Sequence, residues 1–186
     1  MTVFSVIAVI GIVLIALLML VKFAYVFNTG VDKNNVPIGT EVQITGFNGV
    51  FAAISGNFQS PDYGDTAVPF YLYAKTATAS LCTAAMIAFF VLIFLLVFQI
   101  LSLVFKKPIY LYVSTLLSLA LAVILFVCFF TAIGMKNSDI LPKYCSSNPN
   151  CSIKSLAILP AIVALLLTVL NGFHVFMGEK AKKLLK

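Results

Sequence analysis

Four long apolar runs dominate the chain, Val3 to Phe27, Thr76 to Phe105, Ile109 to Gly134 and Ser155 to Phe176, with polar residues gathered between them. A bilayer's hydrocarbon core is roughly 30 Å thick, so a spanning helix needs about 20 mostly apolar residues at 1.5 Å rise each. All four runs meet that length. The pattern predicts an all-α membrane protein: a four-transmembrane-helix bundle forming a single tetraspan domain over residues 1–186, with helices at about 3–27, 76–105, 109–134 and 155–176. Between them lie two long loops, 28–75 and 135–154, a tight turn at 106–108, and a basic tail at 177–186. The first run reads as a retained helix rather than a signal peptide. No Lys or Arg precedes it, and it is about 25 residues long where a signal's apolar region has about 7 to 15.

Composition agrees, since 62% hydrophobic with 10% charged residues is more apolar surface than a soluble domain can hide. Charge then orients the spans, because Lys and Arg in short loops resist translocation. Lys106 and Lys107 fill the turn, and Lys180, Lys182, Lys183 and Lys186 fill the tail. That bias predicts cytoplasmic N- and C-termini and two extracytoplasmic loops, although Lys136, Lys143 and Lys154 in the second loop weaken it. Every basic residue is Lys, so the bidentate phosphate clamps that Arg makes are missing and no nucleic-acid partner is expected. The net charge of +6 favours contact with anionic headgroups.

Cys145 and Cys151 bracket Ser-Ser-Asn-Pro-Asn, a turn-forming sequence that brings two thiols within reach of each other. A disulfide in an oxidising compartment is the expectation. A metal site is not, because two thiolates leave a zinc shell half filled. Cys82 and Cys128 fall within apolar runs as small buried hydrophobes, and Asn150-Cys151-Ser152 matches the glycosylation sequon.

In the first loop, Glu41 to Thr45 alternates polar and apolar positions, and Asn48-Gly49 stands between it and Val50 to Ile54. Asn-Gly between such segments is a strong type I′ hairpin signal, since both central residues need positive φ. Val68 to Tyr73 supplies a third extended run before the second helix. A small extracytoplasmic antiparallel sheet is therefore expected. Phe47, Phe51, Phe58 and Tyr63 are candidate interface residues, as aromatic side chains anchor protein contacts.

This layout resembles that of the claudin and peripheral myelin protein group of tetraspan proteins, with its strand-forming first external loop, short cytoplasmic turn and smaller second loop. The resemblance covers nearly the whole chain and is one of topology. Gly46-Phe47 faintly matches the group's glycine-aromatic element. The group's first-loop Trp, Gly-Leu-Trp cluster and paired cysteines are absent, and the loop cysteines here lie in the other loop. The resemblance implies side-to-side or head-to-head contacts through the loops.

Polar groups inside the spans narrow the functional classes. Lys22 is placed at the outer end of the first helix, snorkelling to the interface. Gln99 and Asn171 are expected to bond across helices, and His174, the one histidine, to lie near the inner interface. The spans contain no Asp or Glu, the usual proton or cation carriers of transporters. No nucleophile-and-base set, carboxylate pair or phosphate loop is present, so neither an enzyme, a cofactor nor a small-molecule substrate is expected. The function expected is that of a non-enzymatic structural or accessory membrane protein contacting itself or other membrane proteins; the alternative is a channel or transporter subunit acting as an oligomer.

Overall fold

A computed structural model describes residues 2–27, 43–56, 75–135 and 152–184. In chain order these form α1 (Thr2–Leu18), β1 (Lys22–Phe27), β2 (Gln43–Thr45), α2 (Gly46–Ser55), α3 (Lys75–Phe105), α4 (Pro108–Gly134), β3 (Ser152–Lys154) and α5 (Ile158–Leu184). The described part is mostly helical, with one small antiparallel sheet.

Among the described residues, three helical stretches are long and apolar enough to cross a membrane: Thr76–Phe105, Pro108–Gly134 and Ile158–Gly178. Their surfaces say the same, because Phe94, Leu116, Leu166 and Val169 are exposed while Gln99, Ser114, Ser118 and Asn171 are buried. A largely apolar exterior over helices that keep their few polar side chains buried matches hydrocarbon as the solvent. The chain is a membrane-spanning protein.

The first helix is shorter than its apolar run. It ends at Leu18, and the residues expected to continue it to Phe27 form β1 instead. At 1.5 Å per residue α1 is about 25 Å long. The segment Lys-Phe-Ala-Tyr-Val-Phe is rich in strand-forming aromatic and β-branched residues, and its backbone finds partners on both sides. Lys22 is thus a strand residue, not a snorkelling helix residue, and its ammonium lies 5.4 Å from the centre of the Tyr25 ring.

The fourth helix also shifts. It begins at Ile158 rather than Ser155 and continues through the expected tail to Leu184. Leu156 N–H donates to the Lys22 carbonyl at 2.9 Å, and Ser155 Oγ accepts from Ala157 N–H at 3.2 Å, so this backbone is committed before the helix starts. Pro160 falls in the first turn, where a missing N–H leaves no helical bond unmade.

The contacts divide into two compact units. A helical unit comprises Met1–Leu18, Ile87–Leu125 and Leu159–Lys186; a sheet unit comprises Met19–Met86 and Phe126–Ile158.

In the sheet unit the strand order is β2-β1-β3, all antiparallel. Ala24 pairs with Ile44 and Tyr25 with Gln43 on one side, while Tyr25 pairs with Lys154 and Val26 with Ile153 on the other. The register slips between Lys22 and Ala24, and Phe23 and Ala24 are both buried there. An irregularity of this kind lets adjacent side chains escape strict alternation.

The expected hairpin at Asn48-Gly49 is not formed; both residues lie inside α2. Thr45, in extended conformation, caps that helix by accepting from Asn48 N–H at 3.1 Å, and Gly56 closes it with a left-handed φ of 64°. These are the preferred residue types for the two ends of a helix. Val68 to Tyr73, the expected third run, lies outside the described residues, and β1 and β3 supply the sheet's other strands.

Candidate functional site

Two features carry chemistry or recognition, one in each unit. In the sheet unit, α2 has a sealed face and an open one. Gly46, Gly49, Val50 and Ala52 are buried, whereas Phe51 is 52% and Ile54 57% exposed. The sealed face depends on small residues. A Cβ on Gly46 would stand 2.6 Å from the Met19 carbonyl oxygen and 2.9 Å from the Phe23 ring, and the Gly49 position faces Ala85 and Cys82 of α3. Phe47 is half-buried and its N–H donates to the Met19 carbonyl at 3.1 Å. Of the expected interface residues that are described, Phe51 is strongly exposed and Phe47 is not. Phe58, Tyr63 and the expected Cys145–Cys151 disulfide lie outside the described residues, while Cys82 and Cys128 are buried free thiols.

In the helical unit, each of the four helices turns a polar side chain inward. Ser5 of α1, Gln99 of α3, Ser114 and Ser118 of α4, and Asn171 and His174 of α5 are all buried. Gln99 lies six residues before the end of α3 at Phe105, Ser114 six after the start of α4 at Pro108, and Asn171 seven before Gly178, where the apolar part of α5 ends.

Ring contacts tie these helices together in pairs. Phe4 packs against His174 at 5.6 Å and Phe173 at 5.9 Å, joining α1 to α5, while Phe98 lies 6.4 Å from Tyr110, joining α3 to α4. An apolar groove of about 210 Å³ lies between α1 and α3, lined by Ile12, Ala16, Leu17, Phe89, Leu92 and Leu96.

Hydrogen bonding among the buried polar residues is incomplete. Gln99 is fully buried, and neither its Oε1 nor its Nε2 has a partner; Asn171 Nδ2 and His174 Nδ1 are in the same state. Ser114 and Ser118 differ, since their hydroxyls donate to the carbonyls of Tyr110 and Thr115 at 2.9 Å each. An unpaired buried polar group costs about 1–3 kcal/mol, so four such atoms outweigh a typical single stabilising contact. Gln99 Oε1 and Nε2 and Asn171 Nδ2, expected to bond across helices, are buried without a hydrogen-bond partner.

The contributions of Ser5, Ser114 and Ser118 were not foreseen from the sequence. Their spacing offered a signal: Ser114 and Ser118 are four apart on the stripe that continues through Leu121 and Leu125, and Ser5 begins the α1 stripe of Ala8, Ile12 and Ile15. Among the described residues, no group of three or more His, Cys, Asp and Glu comes together to hold a metal ion.

No protein-family model matches this chain, and no curated protein or solved structure does either.

Proposed function

We propose that this is a non-enzymatic, four-span accessory membrane protein that makes protein–protein contacts through its extracytoplasmic side, side to side or head to head. In this reading α1 is the fourth span, with Met19 to Val21 extending its apolar length toward the interface. The lysines of the 106–107 turn and of the end of α5 face the cytoplasm, as the bias of basic residues in short loops favours. The loops at 28–75 and 135–154 are then extracytoplasmic. A claudin-like arrangement of loops fits the same topology.

The observation that carries the proposal is the pair Phe51 and Ile54, two large apolar side chains held outward on a short helix whose opposite face is closed. Fixed aromatic and aliphatic side chains on a rigid element are what protein contacts use as anchors. The alternative, transport by an oligomer, gains less. The core of the helical unit buries Ile12, Ile15, Leu92, Leu95, Leu121 and Leu125, an apolar set that gives a polar route through one chain no support.

A photo-crosslinking residue at position 51, activated in native membranes, tests the proposal. Capture of a second copy or of a defined membrane protein, lost when Ile54 is changed to Ser, supports it. Capture of lipid alone, together with a monomer in mild detergent, overturns it.

A further inference from the structure

We infer that the end of the helical unit formed by the 106–107 turn and the last turns of α5 is a binding surface for anionic phospholipid headgroups. With α4 and α5 each spanning the bilayer, as their apolar lengths allow, the chain leaves the turn along α4 and returns to the same side along α5. The stretches 87–125 and 159–186 also belong to one compact unit. The inference needs only that both helices cross. It does not depend on which side is the cytoplasm, or on what α2 contacts.

Charge is concentrated at this end. The two stretches carry six Lys, at 106, 107, 180, 182, 183 and 186, against a single acid, Glu179. Lys106 and Lys107 are exposed on a fixed backbone: Lys106 N–H donates to the Ser102 carbonyl at 3.2 Å, and the Lys107 carbonyl accepts from Tyr110 N–H at 3.3 Å. No acidic residue occupies the first turn of α4, so the positive end of that helix adds to the two lysines. On α5 the apolar part ends at Gly178 while the helix continues to Leu184, which places Lys180, Lys182 and Lys183 within the next two turns. Clusters of about four to eight basic residues at the end of a membrane helix draw anionic headgroups.

Exposed apolar side chains adjoin the charge on both elements. Val104, Phe105 and Ile109 flank the turn, and Phe173, Phe176 and Met177 precede the lysines of α5; all six are exposed. A phospholipid has the matching composition, an acyl chain for the apolar side chains and a phosphate just beyond it for the ammonium groups. A soluble acidic partner would use the charge and leave the apolar side chains unmatched. Every base here is Lys, a point charge without the planar fork by which Arg selects one phosphate geometry. The surface therefore recognises the negative charge of a headgroup and not a particular headgroup shape.

Fluorescence quenching reads this directly, because the chain has no Trp. Phe105→Trp, Phe176→Trp and Phe130→Trp each place a single reporter at an exposed position, the first two beside the lysines and the third near the other end of α4. The full chain is reconstituted in phosphatidylcholine vesicles with a small fraction of lipid brominated on its acyl chains, which quenches Trp on contact. Brominated phosphatidylglycerol should quench the reporters at 105 and 176 several-fold more than brominated phosphatidylcholine, while at 130 the two should quench alike. Lys106→Gln with Lys107→Gln should reduce the preference at 105 several-fold, and Lys180→Gln with Lys183→Gln that at 176. Equal quenching by both lipids at 105 and 176 overturns the proposal and leaves the charge for a soluble acidic partner. The same preference at all three positions overturns it too, since net charge and not this surface would then draw the lipid. If a Gln pair does not fold, an ionic strength of about 1 M, where charges are screened within about 3 Å, should abolish the preference in the parent reporters, and its persistence would refute the charge recognition.

Discussion

The backbone N–H of Phe47 donates to the carbonyl of Met19 at 3.1 Å, joining the start of α2 to the residue just after α1. The first N–H groups of a helix and the last carbonyls of one have no partner within their own helix. Here one end of each kind satisfies the other. Gly46 makes the approach possible, because any side chain at that position would collide with the same carbonyl.

Two glycines of α2 should therefore respond in opposite directions to alanine. Gly46→Ala brings a methyl within 2.6 Å of the Met19 oxygen and should destabilise the protein by about 1–3 kcal/mol, the range for forced overpacking. Gly49→Ala meets Ala85 at an ordinary 3.4 Å and should gain up to about 1 kcal/mol from helix propensity. Thermal unfolding followed by circular dichroism in one detergent compares them; a matching loss in both would refute the assignment of the tight contact to Gly46.

Thr45 tests the cap. Thr45→Val keeps the side chain's shape and removes the oxygen that accepts from Asn48, which should cost about 1 kcal/mol. Thr45→Ser should remain close to the parent. Equal stability of the Val and Ser variants would mean that the cap contributes nothing.

Lys106 occupies a left-handed conformation, with φ of 52°, at the end of α3. Non-glycine residues are disfavoured there by about 1–2 kcal/mol, so Lys106→Gly should raise stability by up to that amount. Lys106→Val should lower it, since branching at Cβ sharpens the clash. The order Gly above Lys above Val, measured by unfolding in mixed micelles, is the expected result.

Adjacent positions on α2 separate packing from recognition. Val50 is 2% exposed, and Val50→Ala should cost about 1–2 kcal/mol for the two buried methyl groups removed. Phe51→Ser should change stability by less than about 0.5 kcal/mol, as exposed substitutions usually do. Its effect should instead be loss of partner crosslinking from a probe at position 54 in native membranes. A Phe51→Ser protein that unfolds easily would place that ring in the core.

The long apolar runs, the Lys106-Lys107 turn and the inward polar residues Gln99 and Asn171 were legible along the chain, whereas His174, expected near the inner interface, is buried. The bilayer imposes its demand on each helix separately: enough apolar length, and backbone bonds closed within the segment. A requirement met residue by residue within one helix can be read without knowing its neighbours. The three membrane-length helices accordingly appear close to where hydropathy puts them.

Outside those runs, neighbours decided. Apart from Lys22, Lys-Phe-Ala-Tyr-Val-Phe continues the first apolar run, yet β2 and β3 claim its backbone as a strand. Asn48-Gly49 reads as a turn in isolation, but the Thr45 cap, the close seat at Gly46 and the packing of Gly49 on Cys82 and Ala85 hold it as helix. Short segments with comparable strand and helix preferences take the form that closes the most backbone bonds and buries the most surface, and both depend on residues far away in sequence. The buried polar residues are of the same kind. Which residues were polar was evident from the chain alone; that Ser5, Gln99, Ser114, Asn171 and His174 are all withdrawn from the surface depended on how the helices pack.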